Sequence, residues 1–364
     1  MDLGDSIQAT RRRRVLFRLG AVVAGLVLAV LAGEIALRVF RYDRSYFNPL
    51  HSFHEPDPVI GHRGRNGFEG RFRRPEFDVV VAHDEYGFRR HEHAHPRAPE
   101  GAAVFVFGDS FTWGWGVGQG RVFTDRMNLR MPGHTVLNFG LNSSGTAQQF
   151  LLFEKHGRDR LEPGDHVVVL FSNNDFSDNA AGPLDIRIEK HRVRCLGPRK
   201  RFGLGLKDTL KDASYLFNFA AYSIDRWKGT HRRRQALASA PRLADASPEI
   251  VITKHYLTAF RDACSERRAN FWVAYVPGQA EMGESPPEGG TWLTAEQAFR
   301  NAFFACAASL GLQTIDLLPA MVEARDTGAL GRLTFLHDEH WNEQGHACVA
   351  GILARTLYPG ESGK

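Results

Sequence analysis

Only four cysteines occur in the 364 residues, Cys195, Cys264, Cys306 and Cys348, and no two share a C-x-x-C spacing. That excludes a zinc finger and argues against a thiolate metal site. If the chain is exported, one or two disulfides are allowed, with the pairing left open. Cys264, Cys306 and Cys348 read better as small buried apolar residues on helices. There is no glycine-rich phosphate loop, internal repeat or long low-complexity tract. Charge of one sign is only slightly in excess: 46 Lys and Arg oppose 41 Asp and Glu, a net +5. Because these charges are spread along the chain, nucleic acid is not an expected partner.

Long apolar runs are also scarce, and the main one lies near the N-terminus. Leu19 to Gly33 carries no charge, and Val15–Phe17 and Ile35–Phe40 extend it toward the roughly 20 residues a membrane span needs. Arg18 near its edge can snorkel to the headgroups. Arg11–Arg14 precede the run, so the N-terminus is expected in the cytoplasm and the remainder outside it. Val30 and Ala32 permit a signal-peptidase cut, but the apolar helix continues beyond them, which favours an uncleaved anchor. The expected layout is a basic cytoplasmic tail (1–14), a transmembrane anchor (15–40), an extracytoplasmic linker packed on the domain (41–101) and a domain (102–358). Within the linker, Phe77–Ala82 reads as an edge strand. The alternating His91, His93 and His95 read first as a solvated loop and only secondarily as metal ligands.

From Ala102 strands and helices alternate. The strands are expected at Val104–Phe107, Thr135–Asn138, Val167–Phe171, Phe271–Val276 and Thr314–Leu317. The helices are expected at Phe123–Arg130, Thr146–Gly157, Pro248–Arg268, Thr294–Leu310 and Glu343–Leu357. This alternation implies a parallel sheet covered by helices on both faces, with ligands at the carboxyl ends of the strands. Between 178 and 248 the pattern breaks, and an insertion over the active-site face is expected there. It contains the basic runs Lys190–Arg201 and His231–Arg234 and an amphipathic stretch, Lys207–Trp227. The basic runs suit an anionic glycan or lipid headgroups, or simply a solvated face.

The stretch Val104–Gly118 carries the chemistry. An apolar strand stops at Gly108, and Asp109, Ser110 and Thr112 offer helix-start groups. Ser110 at that mouth is placed either as a nucleophile or as a plain helix cap. Three later stretches decide between these: Asn138-Phe139-Gly140, Asn173-Asn174-Asp175 and His337-Asp338-Glu339-His340-Trp341-Asn342. With Gly108-Asp109-Ser110 they resemble, in order, the four blocks of the SGNH (GDSL) hydrolase family, over roughly Phe77 to Tyr358. Tyr86-Gly87-Phe88-Arg89 looks like the segment preceding the domain in membrane-anchored bacterial members, and Arg89 is suited to pinning the linker.

The resemblance implies a flavodoxin-like three-layer sandwich around a five-stranded parallel sheet. It also implies a Ser110 nucleophile, a His340 base and an Asp338 that orients the base. The oxyanion donors it implies are the backbone N–H groups of Ser110 and Gly140 and the side-chain amide of Asn174, with Asn173 the competitor for that last role. No cofactor or metal is implied. The chain departs from the common Asp-x-x-His pattern: one residue separates Asp338 from His340, and His337 occupies the usual acid position. A backbone carbonyl is therefore an alternative orienter. Ser110 is not in the Gly-x-Ser-x-Gly elbow of α/β-hydrolases, and the nucleophile-first, base-last order argues against that fold. Trp113 and Trp115 read as packing or as a sugar platform, and Trp341 shares that ambiguity. Asp109 and His346 read as structural.

The function these residues imply is ester hydrolysis or acyl transfer, most plausibly of acetyl on a carbohydrate or related ester, at the outer side of the cytoplasmic membrane. The alternatives are a non-catalytic glycan-binding or scaffold module of an envelope polysaccharide system, and a lipase or thioesterase.

Overall fold

A computed structural model describes residues 3–40, 53–74, 76–93, 101–131, 133–190, 192–199, 210, 213–221, 223, 224, 243, 245–284 and 292–360. His95 and the basic run His231–Arg234 lie outside the described residues, as does part of Lys207–Trp227. The chain forms two compact units, Met1–Asn48 with Leu204–Thr230, and Pro49–Gly203 with His231–Lys364.

In the first unit, helix α1 (Leu3–Val39) is the one described helix long and apolar enough to cross a membrane. Its best window has a mean hydropathy of 2.5 with none of it buried. The middle of the segment expected as an insertion clusters with this helix. Glu34 accepts hydrogen bonds from the Tyr215 and Leu216 N–H groups, at 3.0 and 2.9 Å, and from Ser214 Oγ at 2.9 Å. It thereby caps a short helix over residues 215–221.

The second unit begins with two antiparallel hairpins, β1 (His54–Asp57) with β2 (Gly61–Gly64), and β3 (Glu69–Arg74) with β4 (Phe77–Ala82). Phe77–Ala82 is thus a strand, but it pairs in its own ribbon rather than along the central sheet. The alternating repeat then runs β5 (Ala103–Gly108), α2 (Ser110–Trp113), α3 (Phe123–Arg130), β6 (Thr135–Gly140), α4 (Thr146–Leu152), β7 (His166–Phe171) and α5 (Asn173–Ala181). A hairpin of β8 (Leu184–Glu189) and β9 (Arg192–Pro198) follows. The last elements are α6 (Pro248–Glu266), β10 (Asn270–Tyr275), α7 (Trp292–Ser309), β11 (Gln313–Asp316), α8 (Leu317–Asp326) and α9 (Glu343–Leu357).

Five strands form the parallel sheet, in the order β11-β10-β7-β5-β6. Their residues alternate between two cores. Val104, Val106, Val136, Val168, Leu170 and Ile315 pack against α3, α8 and α9. Phe105, Phe107, Phe139, Val167, Val169 and Val273 pack against α4, α6 and α7. Burial on both faces is why the strands read as unbroken apolar runs. Cys264, Cys306 and Cys348 are buried and Cys195 is exposed; all four are free thiols.

β6 is an edge strand, and side chains close its open edge. Asn128 Oδ1 accepts the Val136 N–H at 2.8 Å, and Asn128 Nδ2 donates to the Val136 carbonyl at 3.1 Å. His91 Nε2 takes the Asn138 N–H at 3.1 Å, while His91 Nδ1 lies 3.3 Å from Asp125. His91 is therefore used as an edge cap rather than left to solvent.

The pre-domain hairpins build the back of the α2 turn. Phe53, Phe72, Phe77 and Val81 enclose Trp113, which is 1% exposed. Burial pushes His83 down to about 4, so its neutral ring accepts the Trp113 indole N–H at 3.1 Å. Arg89 is 2% exposed and donates to the carbonyls of Gly114 and Val117, at 3.4 and 2.6 Å, and to Gln119 at 2.5 Å. Replacing Arg89 with leucine removes three donors: the buried Val117 carbonyl loses this partner, while Gly114 and Gln119 keep one long bond each, and a buried acceptor left unpaired costs about 1–3 kcal/mol. Arg89→Leu should therefore lose at least about 2 kcal/mol in a denaturant melt; a melt within error of wild type would remove Arg89 from this role.

Candidate active site

The chain leaves β5 toward β6 on one side and returns to β7 on the other. The carboxyl ends of β5 and β7 are therefore the switch point at which open α/β sheets bind ligands. Ser110 follows β5, and Asn174 follows β7. Asp109 caps the single turn α2, its side chain accepting the Phe111 N–H at 2.9 Å. Gly114 ends the turn with φ 88°, a left-handed conformation that suits glycine.

His340 arrives from the loop between α8 and α9. Its Nε2 lies 2.6 Å from Ser110 Oγ, and its Nδ1 lies 2.5 Å from Asp338 Oδ1. With the proton on Nδ1, held by the carboxylate, Nε2 is left to accept the serine proton. Phe111 and Trp115 flank the imidazole, with ring centroids 4.9 and 5.1 Å away. His337 is exposed, and its N–H donates to Glu76. Asp338, not a backbone carbonyl, thus makes the Nδ1 contact.

The loop is pinned from several sides. Gln279 Nε2 donates to the carbonyls of Phe335 and Asp338, at 2.8 and 3.0 Å. The buried Glu284 accepts the N–H groups of Leu333 and Thr334, at 2.7 and 2.9 Å. Asn342 caps α9 and donates to the Arg332 and Thr334 carbonyls. Trp341 is fully buried in the core, and His346 sits on α9, pushed down to about 3 by burial and accepting the Phe123 N–H.

Burial would lower the His340 pKa, but the Asp338 carboxylate outweighs it, and the net shift is upward from 6.5. Burial alone would raise Asp338; His340 reverses that and holds the carboxyl well below the usual range. A second carboxyl group set lies beneath the nucleophile. Burial raises Asp109, raises Asp175 further with help from the Asp109 charge, and pushes Asp178 up to about 6.

Asn174 joins this set. Its Nδ2 donates to Asp109 Oδ2 at 3.2 Å and Asp178 Oδ2 at 2.9 Å, and its Oδ1 accepts from Ser172 Oγ at 2.6 Å. The side chain therefore abuts the nucleophile's own cap. Gly140 is different. Its N–H already donates to Asn138 Oδ1 at 2.8 Å. A Cβ there would meet the Trp113 nitrogen at 2.2 Å and the Thr112 carbonyl carbon at 2.6 Å. The close approach of the nucleophile turn thus requires glycine here, and the N–H expected as a donor is paired with Asn138.

Three neighbouring residues have features that the sequence does not assign. Asn138 donates to the Thr112 carbonyl at 2.7 Å, bracing the turn from β6. Ser143, exposed in the next loop, holds a left-handed backbone at φ 57°, a strain that functional loops retain. The Trp115 indole donates to Asp338 Oδ2 at 3.1 Å. A cavity of about 550 Å³ lined by Glu76, Phe77, Arg332, Phe335, Asn342 and Gln344 includes neither Ser110 nor His340. The site is located by the aligned side chains.

This geometry is that of a serine hydrolase built on an open α/β sheet. The family model of the GDSL-like Lipase/Acylhydrolase family matches residues 106–348, about two-thirds of the chain, and the protein belongs to that family, whose members act on ester bonds. No curated protein matches significantly. Among solved structures, a lipolytic protein of the G-D-S-L family from Veillonella parvula DSM 2008 is 14% identical, covers 71% of this chain and 99% of its own, with a TM-score of 0.41. The acetyl xylan esterase AlAXEase is 15% identical, covering 70% and 98%, with a TM-score of 0.39. Axe2, an acetylxylan esterase from Geobacillus stearothermophilus, is 11% identical, covering 72% and 95%, with a TM-score of 0.40.

Two outcomes follow from the geometry. Gly140→Ala must displace the nucleophile turn; it should lose about 1–3 kcal/mol in a melt and most of its serine reactivity, whereas an unperturbed melt would contradict the packing role. Because His340 must be neutral to act, kcat/KM should fall as pH drops through its raised pKa. A pH–rate profile with p-nitrophenyl acetate should place that acid limb above 6.5, and a limb at or below 6.5 would show that Asp338 does not support the imidazolium.

Proposed function

We propose that the protein cleaves or transfers a small acyl group, acetyl on a carbohydrate or related hydroxyl, through an acyl-Ser110 intermediate. The observation that carries this is the unbroken line from Ser110 Oγ through the His340 ring to Asp338. As Ser110 Oγ attacks the ester carbonyl carbon, its proton passes to His340 Nε2. The carbonyl oxygen becomes an oxyanion received by the Ser110 N–H and by Asn174 Nδ2, which gives up one of its two carboxylate partners. The tetrahedral species collapses, the imidazolium protonates the departing alkoxide, and Ser110 is left acylated. Water or an acceptor hydroxyl then gives its proton to His340 and takes the acyl group.

The choice of a small acyl group rests on the resemblance to membrane-anchored bacterial members. The outer face of the cytoplasmic membrane is supported by Arg11–Arg14 ahead of the exposed apolar surface of α1. An intact nucleophile–base pair weighs against the scaffold reading, which has no use for it.

A fluorophosphonate probe should label the wild type and not Ser110→Ala, and His340→Ala should be strongly reduced. Robust ester cleavage by Ser110→Ala would end the nucleophile assignment. Acetyl p-nitrophenyl ester should turn over faster than long-chain analogues; the reverse order would favour a lipase. A reporter fused after Tyr358 should be active outside the cytoplasm, and cytoplasmic activity would reverse the orientation.

A further inference from the structure

We propose that Trp115 is a positioning residue for acyl transfer, a latch that ties the acid of the last loop to the turn carrying the nucleophile. The inference rests on the Ser110–His340 reading and adds to it a group that neither sequence motif contains.

The need for a latch follows from the short spacing of acid and base. With a single residue between them, Asp338 Oδ1 accepts both the His340 side chain, at 2.5 Å, and the His340 backbone N–H, at 3.1 Å. The local donors thus converge on one oxygen. Asp338 Oδ2 takes the Trp115 indole N–H at 3.1 Å. A carboxylate held at one oxygen pivots about that contact, and a second donor on the other oxygen fixes its plane.

Trp115 is well fixed to serve this purpose. Its backbone N–H donates to the Ser110 carbonyl at 3.1 Å, so it moves with the nucleophile. Its ring lies nearly parallel to the imidazole, 5.1 Å between centroids with planes 25° apart, and meets Phe72 edge-on at 4.8 Å. The Arg74 guanidinium lies over it, 5.6 Å from the ring centre. The two segments therefore meet at two points, Ser110 with His340 and Trp115 with Asp338. The charged groups acting on His340 are Asp338, Glu339 and Asp109, and Trp115 touches only the first.

Trp115→Phe tests the idea, because it keeps a ring against His340 and Phe72 and removes only the N–H. The fluorophosphonate labelling rate of Ser110 should fall about 10-fold or more, with the fall in kcat and not in KM. The acid limb of the pH–rate profile should move toward 6.5 as Asp338 loses its fixed position. A labelling rate and acid limb equal to wild type, with an unchanged melt, would overturn the proposal. Should the variant melt early, the wild type and Asp338→Ala supply an independent test. In ¹⁵N-indole-labelled protein the buried Trp113 N–H should exchange slowly with water in both proteins, whereas the Trp115 N–H should exchange slowly in the wild type and faster, with a changed shift, in Asp338→Ala. No indole signal responding to Asp338→Ala would equally overturn it. Label uptake that survives Ser110→Ala would instead strike the underlying acyl-serine reading.

Discussion

The contact between Ser110 Oγ and His340 Nε2 joins residues 230 positions apart, and most of the second unit serves to hold it. One side is a single helical turn, too short to be stable by itself. It is held by the Asp109 cap, by Asn138 on the Thr112 carbonyl, by the absence of a Cβ at Gly140 and by Trp113 buried among the pre-domain phenylalanines. The other side is a loop with little regular structure, braced by Gln279, Glu284 and Asn342. The parallel sheet fixes the distance between these supports, and the side chains fix the final ångström.

The carboxyl groups around this contact divide by environment rather than by type. Asp338 faces a base that becomes cationic in the reaction, and its pKa is lowered. Asp109, Asp175 and Asp178 lie together around Ser172 and Asn174, and burial raises all three, against the pull of His340 in the case of Asp109. Like residues within one site thus shift in opposite directions according to whether a cation or other buried carboxyl groups lie beside them.

The sequence made the repeat of strands and helices legible because each sheet strand is buried on both faces and reads as an apolar run bounded by polar turns. β5, β6, β7, β10 and β11 begin or end within two residues of the expected limits. The helix Leu317–Asp326 was not separated from the strand before it, since Leu317 continues the apolar run. Ser110 was legible as a residue just past a strand end and His340 and Asp338 as part of a late loop, and the structure brings the three side chains together. Gly140 reads from sequence as room for a substrate, but a glycine's empty side chain does not say which backbone approaches it, and the backbone that does so here is that of Trp113. Arg89 reads as a pin for the linker and Trp115 as packing or a sugar platform, but which groups they bond depends on acceptors more than twenty positions away in the chain. The pre-domain segment read as a linker because its strands are short and rich in charge; what they enclose is a tryptophan from another part of the chain.

Asn128 and His91 fill the hydrogen-bonding sites along the outer margin of β6 with groups from elsewhere in the same molecule. A sixth strand cannot join there without first evicting them. Neighbouring copies meet a β6 margin whose Val136 amide and carbonyl and Asn138 amide are already engaged, so strand addition is disfavoured along this stretch. The side chains that finish β6 thus guard one border of the sheet, while β11 forms the other.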